Sequence, residues 1–410
     1  MPAVIPLGSI LSCHRHEHSA SSAQKEFRMP FHFSDAEYAA RLSKAAAALQ
    51  AQDLEALLLF APESHYWICG YDTFGFAMFQ CLILGADGRL NLLTRAPDLR
   101  QAQQTSTLSD AQIHIWKDIE GVSPANTLAD LVKSLGYSGK IAMETETPGL
   151  TFANGQSVIT AFDRSLHRGD GIISDLRQDK SPAELDMHRR AAALSDDALD
   201  AALASTRAGA FEGDILAEMQ GAVFRGGGDY AGNEFIIGSA ERALLCRYAS
   251  GRRHLDAQDQ LTLEWSGAYA RYHAAMMQTL VIGKANSAQR QMHSVARDAL
   301  EACEAAIKPG RPMGEVFAAH AQVFDKAGLG HARLNACGYA MGAIYNPIWV
   351  DFPMFYENNP TVMRESQVFF LHMILMDSDA GLAMCLGHSV EVTAHGAKRL
   401  SRHAPDLFEL

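Results

Sequence analysis

The stretch Leu261–Gly283 gathers a Glu, an Arg, two Tyr and a His within strand-like apolar sequence. Glu264 closes the apolar run Leu261-Thr262-Leu263, and Arg271, Tyr272 and His273 follow before the chain turns apolar again through Met276, Leu280 and Ile282. The pattern reads as a β-hairpin with a polar crossing, and ordinary sheet cores do not gather a Glu, an Arg, a Tyr and a His among apolar residues. A carboxylate on such a strand is at least half buried. It must then pair, hold a cation or change its pKa. Two readings stand at this point: a buried salt bridge from Glu264 to Arg271 or Arg247, or a carboxylate kept for chemistry.

The elements that carry this segment are legible in outline. Ser34–Gln50 reads as a helix capped by Ser34, with Glu37 as the capping-box partner. Strand-length runs follow at Ala56–Phe60, Cys81–Leu84, Leu90–Thr94, Ile113–Trp116 and Lys140–Glu144, with a hairpin turn at Ala86-Asp87-Gly88-Arg89 and a helix over Ala125–Leu135. Ser181-Pro182 opens a long helix to Arg207, because proline suits the first helical turn. A second helix, Asp214–Phe224, ends at Gly226-Gly227-Gly228. Strands recur at Phe235–Ile237, Gln260–Leu263, Gln278–Ile282, Gly338–Ile344, Gln367–Leu371 and Ser389–Thr393, with a helical pair at 287–306 and 313–327. The expectation is an α+β chain in three parts: a disordered tail over 1–28, a small α/β domain over 29–175, and a larger α+β domain over 176–410.

Composition narrows the function classes. The 410 residues are 48% hydrophobic and 20% charged, which is globular and excludes disorder of the whole chain. A net charge of −12 lacks the basic footprint of a nucleic-acid binder. No apolar run reaches the length of a membrane-crossing helix. The seven cysteines are odd in number, form no CxxC and sit in apolar runs, so a reduced, cytoplasmic protein is expected. His14-Arg15-His16-Glu17-His18 lacks the apolar run of a secretory signal, and Met29 opens a conventional domain start.

Six segments then fall in order along the chain. They are His65-Tyr66-Trp67-Ile68-Cys69-Gly70-Tyr71-Asp72; Leu176–Lys180 with Ser181-Pro182-Ala183-Glu184-Leu185; the Glu264 hairpin; Gly338-Tyr339-Ala340-Met341-Gly342; Gln367–His372; and Val392-Thr393-Ala394-His395-Gly396. In turn they resemble the N-x-Y-Y-L-T-G-Y, R-x-x-K-S-x-x-E, D-x-G-x-x-x-x-G-Y-x-x-D-x-x-R-T, G-H-x-x-G, G-M-V-F-T-I-E and V-T-x-x-G motifs of the creatinase / aminopeptidase P / prolidase family. From about Ser34 to Ser401 the chain is similar to that family, which implies the pita-bread fold behind a creatinase-like N-terminal domain.

The departures from the family pattern matter more than the matches. The family's metallopeptidases hold two divalent cations with two Asp, one His and two Glu. The resemblance places Glu264, Ala275, Tyr339, His372 and Gly387 at those five positions. A dinuclear centre needs bridging carboxylates, and this set offers one. The expectation is therefore no metal and no cofactor, although a single ion on Glu264, His372 and either His273 or His388 stays open. The chain looks closest to the metal-free branch of creatinases and ectoine hydrolases. Glu264-x-x-Gly267 with Arg271-Tyr272-His273, Gly70-Tyr71-Asp72-Thr73-Phe74, and Gly338-Tyr339 with Asn346-Pro347-Ile348-Trp349 resemble ectoine hydrolase elements.

That resemblance implies hydrolysis of a C–N bond in a small zwitterionic amidine or guanidine, with ectoine the first substrate to consider. Its central carbon is already cationic and needs a carboxylate rather than a Lewis acid. Glu264 is the expected nucleophile or general base. His372 and His273 are proton-transfer candidates against a role as bonded core histidines, and Tyr339 is a hydrogen-bond donor candidate. Arg271, Arg247 and more weakly Arg333 are candidates for the substrate carboxylate. Tyr272 belongs to the same binding set. Trp265, Phe74, Tyr71 and Trp349 are candidates to box the cation, though core packing is the commoner role. The family's dimer, in which the Tyr71 segment reaches the partner's pocket, implies a homodimer. Gln278, Ala336 and Asp351-Phe352 depart from the ectoine hydrolase pattern, so another small amidine or amide substrate stays open. So do an Xaa-Pro dipeptidase with a rebuilt metal site and a silent binding protein.

Overall fold

The computed structural model describes residues 31–249 and 251–410. The expected tail and its histidine cluster lie outside the described residues. The first helix runs Asp35–Ala51 with the Ser34 hydroxyl accepting from the Glu37 amide. Glu37 does not close a capping box, because its carboxylate instead receives the Arg41 guanidinium at 3.2 Å.

Six strands then make one mixed sheet: β1 (Ala56–Leu59), β2 (Cys81–Gly85), β3 (Leu90–Arg95), β4 (Ile113–Trp116), β5 (Ile141–Met143) and β6 (His167–Arg168), in the order β4-β3-β2-β1-β5-β6. The strands β1 and β2 read as continuous apolar runs because both faces are covered.

The second sheet contains β7 (Ile236–Ser239), β8 (Asp259–Tyr269), β9 (Tyr272–Ile282), β10 (Ala336–Ala340), β11 (Asp351–Tyr356), β12 (Val368–Asp377), β13 (Leu382–Thr393), β14 (Gly396–Arg399) and β15 (Phe408–Glu409). Its order is β11-β10-β12-β13-β9-β8-β7, with β14 on β13 and β15 on β9. Helix Pro182–Ser205 covers β8 and β9 with Glu212–Arg225 packed beside it toward β7, while Ser287–Ala306 covers β12 and β13 and Met313–Lys326 covers β10 and β11. This second sheet with its four helices is the pita-bread arrangement, the first sheet forms the N-terminal domain before it, and the α+β expectation holds. The strands are longer than their apolar runs because small and polar residues of the hairpin remain paired in the ladder.

The β8–β9 turn is Ala270-Arg271, both at positive φ, which matches the twist of a two-residue hairpin. Gly267 lies against the long helix. A Cβ there would sit 2.1 Å from the Ala191 carbonyl oxygen, so helix and hairpin can touch only at glycine. Ser195 on that helix accepts from the Gly267 amide at 2.6 Å and donates to the Ala274 carbonyl at 2.5 Å.

Both domains meet on the buried carboxylate of Glu184. It receives the Tyr272 hydroxyl at 2.6 Å, the Trp67 indole at 3.1 Å and the Ser181 amide at 2.9 Å, with the Arg41 guanidinium at 3.5 Å. Ser181 and Glu184 also form the capping box of the long helix. Truncation would leave a buried cation and two buried donors unanswered. Glu184→Ala is expected to cost about 3–5 kcal/mol, read as a lowered urea midpoint, with Glu184→Gln losing less.

Candidate active site

Register puts the reacting groups on one face. His372 on β12 pairs with Gly387 on β13, Gly387 with Met277 on β9, Met277 with Glu264 on β8, and Glu264 with Ile236 on β7. Directly paired residues point the same way. So do Ala275, two residues from Met277, and Tyr339, which pairs with Phe370 two residues from His372. Trp265 alternates to the other face, where its indole donates to the Ser195 carbonyl at 2.9 Å.

A cavity of about 180 Å³ opens on this face. Glu264, Tyr339, Trp349, His372, Arg247, Cys246 and Asn233 supply its polar and aromatic lining, and Ile236, Leu334, Ile348, Val350, Met354 and Ile374 its aliphatic part. Arg247 and Cys246 arrive on the loop that follows Ser239. Buried Glu212 clasps that loop at both ends: one oxygen accepts from the Ser239 amide and hydroxyl, the other from the Arg252 and Arg253 amides. A larger cleft of about 400 Å³ lies between the domains. Its arginines are paired, Arg177 with Asp351 and Arg168 with Asp170, and its Glu144 takes three hydrogen bonds. The larger cleft also holds buried Glu63, which accepts from the Tyr345 amide at 3.1 Å beside Arg177, whereas Glu264 in the smaller cavity has only the longer Tyr339 contact.

The hydrogen bonds at Glu264 have a fixed direction. The Trp349 indole can only donate, and it donates to the Tyr339 oxygen at 2.9 Å. The Tyr339 proton is left for Glu264 Oε1, at 3.4 Å. Burial raises the Glu264 carboxyl to about 7 against the pull of Arg247 and Tyr339. Burial, reinforced by Glu264, pushes the Tyr339 hydroxyl well above its usual range, so it stays a donor. Burial holds His372 down at about 4, neutral at pH 7, and its Nδ1 has no partner among the described residues. The site therefore offers a carboxylate poised to change state near neutrality, one phenol donor, one neutral imidazole and a guanidinium.

Seven expected site residues lie elsewhere. His273 has both ring nitrogens occupied, Nδ1 by the Arg271 carbonyl at 2.8 Å and Nε2 by the Gly232 amide at 2.9 Å, and is no proton shuttle for this cavity. Arg271 pairs with Asp72 at 2.9 Å beneath the Tyr345 ring and lines another cleft, because the hairpin turn carries it past the cavity. Tyr272 is spent on Glu184. Tyr71 is buried in its own domain, its hydroxyl 3.4 Å from Gln80. Phe74 projects into solvent at 82% exposure. Trp265 is core. Arg333 pairs with Asp325 at 3.0 Å. Asn233 and Cys246 were not anticipated, and no spacing in the sequence points to them.

The donor set does not fit the family's pair of metal ions. Ala275 brings a methyl group to its position. At Gly387 a Cβ would lie 2.4 Å from the Leu371 carbonyl oxygen and 3.0 Å from the Phe370 ring. That ring packs on Tyr339 and His372, with centroids 5.4 and 5.5 Å away. The extra donors considered for a single ion are also elsewhere: His388 bonds Glu304 beyond the opposite face, and His273 is held as above. Among the described residues no group of three His, Cys, Asp or Glu could hold a metal.

Comparison with known proteins agrees with the fold. Residues 41–178 match the creatinase/prolidase N-terminal domain and 186–394 match metallopeptidase family M24. An uncharacterized hydrolase/peptidase of Sinorhizobium fredii is 25% identical over 89% of this chain and 95% of its own. The ectoine hydrolase of Halomonas elongata is 24% identical over 92% and 98%. The solved Xaa-Pro dipeptidase of Bacillus anthracis superposes with a TM-score of 0.79 at 18% identity, covering 91% of this chain and 100% of that one. Among the described residues six cysteines are free, Cys246 half-buried and the others buried, and no helix is long and apolar enough to cross a membrane.

Raising a carboxyl from its ordinary 4.5 to about 7 destabilises the folded state. The penalty is absent below pH 4.5, grows as pH rises to 7 and is complete above. Glu264→Gln should therefore be more stable than the parent by about 1–3 kcal/mol at pH 8 and equal to it at pH 4. Denaturant titrations at the two pH values check this.

Proposed function

The chain belongs to metallopeptidase family M24, and from that premise we propose that it is a hydrolase that cleaves, without a metal, a C–N bond in a small zwitterionic amidine, ectoine first. The observation that carries this reading is Glu264: a single underpaired carboxylate where the family's peptidases assemble a dinuclear centre. An amide carbonyl attacked at that position would have no electrophilic partner. A cyclic amidinium brings its own positive charge, and the carboxylate that holds it is also its base. The cavity's 180 Å³ suits a compound near the size of an amino acid and falls below the ~300–1,000 Å³ of drug-sized sites.

In this reading the ring cation faces Glu264 and the substrate carboxylate faces Arg247, with aliphatic walls between. Ionised Glu264 takes a proton from water as the oxygen bonds to the amidine carbon. The tetrahedral carbon then expels one ring nitrogen, which takes the proton back from Glu264, and the hydroxyl proton passes to the freed amine as the amide carbonyl forms, leaving Glu264 ionised and the amine as an ammonium. One C–O bond forms, one C–N bond breaks, and the product is an N-acetylated diaminobutyrate. A direct attack by Glu264 on the same carbon, followed by water, gives the same product. Tyr339 steadies the carboxylate, and neutral His372 can donate from one ring nitrogen and accept at the other.

The test is proton NMR of ectoine with EDTA-treated protein. Ring opening is expected, with Glu264→Gln at least 10³-fold slower and Arg247→Ala raising KM about tenfold, the cost of about 1.4 kcal/mol. A free carboxylate must be ionised to act, so kcat/KM should fall as pH drops through about 7. Turnover appearing only after Mn²⁺ is restored, with Xaa-Pro dipeptides preferred, would replace this reading with the family's peptidase chemistry. Binding of ectoine without turnover would replace it with a silent relative.

A further inference from the structure

We propose that His273 and Asn233 are positioning residues for Glu264: they lock the Asp229–Glu234 loop to the Ile344–Val350 loop, and so hold the Trp349 indole that orients the Tyr339 hydroxyl. The proposal rests on Glu264 being the reactive group.

Each link has one possible direction. The Gly232 amide can only donate, so His273 Nε2 is its acceptor, at 2.9 Å. The His273 proton is then on Nδ1, donated to the Arg271 carbonyl at 2.8 Å. Next in the chain, Asn233 donates its amide to the Glu234 carbonyl at 3.0 Å, which turns its oxygen toward the Trp349 amide, also 3.0 Å away. Trp349 donates to Tyr339, and Tyr339 is left facing Glu264. The two loops are in direct contact: a Cβ at Gly232 would sit 3.0 Å from the Trp349 nitrogen. His273 is fully buried and does not line the cavity, so any influence on the carboxylate passes through this chain. Burial keeps its pKa down at about 4, so Nε2 remains an acceptor at neutral pH.

Glu264 also faces other charged and titratable groups: Arg247 and Cys246 from the loop after β7, His372 from β12 and Cys385 from β13. The test must therefore separate the Tyr339 route from these. The titration of Glu264 is read by carboxyl infrared difference against Glu264→Gln, which needs no substrate. Losing the Tyr339 donor disfavours the ionised form, so Tyr339→Phe should move the titration up by about 0.5–1 pH unit, the size of one neutral hydrogen bond.

Asn233→Ala should move it part of that distance in the parent and not at all in the Tyr339→Phe background. His273→Gln, which returns an amide oxygen near Nε2, should leave the titration in place, whereas His273→Leu should shift it as Asn233→Ala does. An equal shift with and without Tyr339, or no shift for Asn233→Ala, overturns the proposal. If His273→Leu fails to fold, the Asn233 pair of backgrounds decides. Where the acid limb of kcat/KM can be recorded, it should move with the titration. Should the protein open no amidine, the functional reading falls while the titration still decides the relay.

Discussion

A carboxylate taken out of water must be answered by donors, and in this molecule the completeness of the answer separates scaffold from site. Glu184 has three donors and a guanidinium, and it ties the N-terminal domain to the hairpin. Glu212 has four donors and clasps the loop that brings Arg247 to the cavity. Glu144 has three, two of them backbone amides at the start of the helix Pro62–Cys69, which has no side-chain cap of its own. Glu264 has a single donor at 3.4 Å. The scaffold carboxylates have spent their capacity on the fold. Glu264, at the longest of these contacts, keeps lone pairs for something that comes from outside.

The sheet turns this difference into geometry. One row across five strands carries His372 and Glu264 on the same face, separated by Gly387 and Met277. Alternation sends Trp265 to the helices behind. The two-residue turn at Ala270-Arg271 then carries Arg271 past the cavity to Asp72. Glu264 and Arg271 are close in sequence, yet they serve opposite ends of one hairpin.

Much of this could be read from residue types and order, and the failures have a common cause. The helices Pro182–Ser205 and Ser287–Ala306 announce themselves by their caps and periodicity. Glu264, Tyr339, His372, Arg247 and Trp349 were each singled out, and the fold brings all five to one cavity. His273, Arg271 and Tyr272 were singled out beside them because they share the hairpin. Residue type cannot say whether an imidazole has spare valence, and His273 has spent both nitrogens within the fold. Asn233 escaped notice because its partner, the Trp349 amide, is a backbone group far along the chain that only tertiary contact supplies.

Gly387 bears on the descent of this site. A carboxylate there would first have to place a Cβ against the Leu371 carbonyl and the Phe370 ring. Phe370 cannot retreat while it packs on Tyr339 and His372. Placing a carboxylate at 387 is thus blocked until its neighbours have changed, and changing them first would disturb the packing behind Tyr339 and His372. A lineage that holds this arrangement must rebuild the strand around Gly387 before a carboxylate can enter there, whereas the aliphatic wall of the cavity can change one side chain at a time.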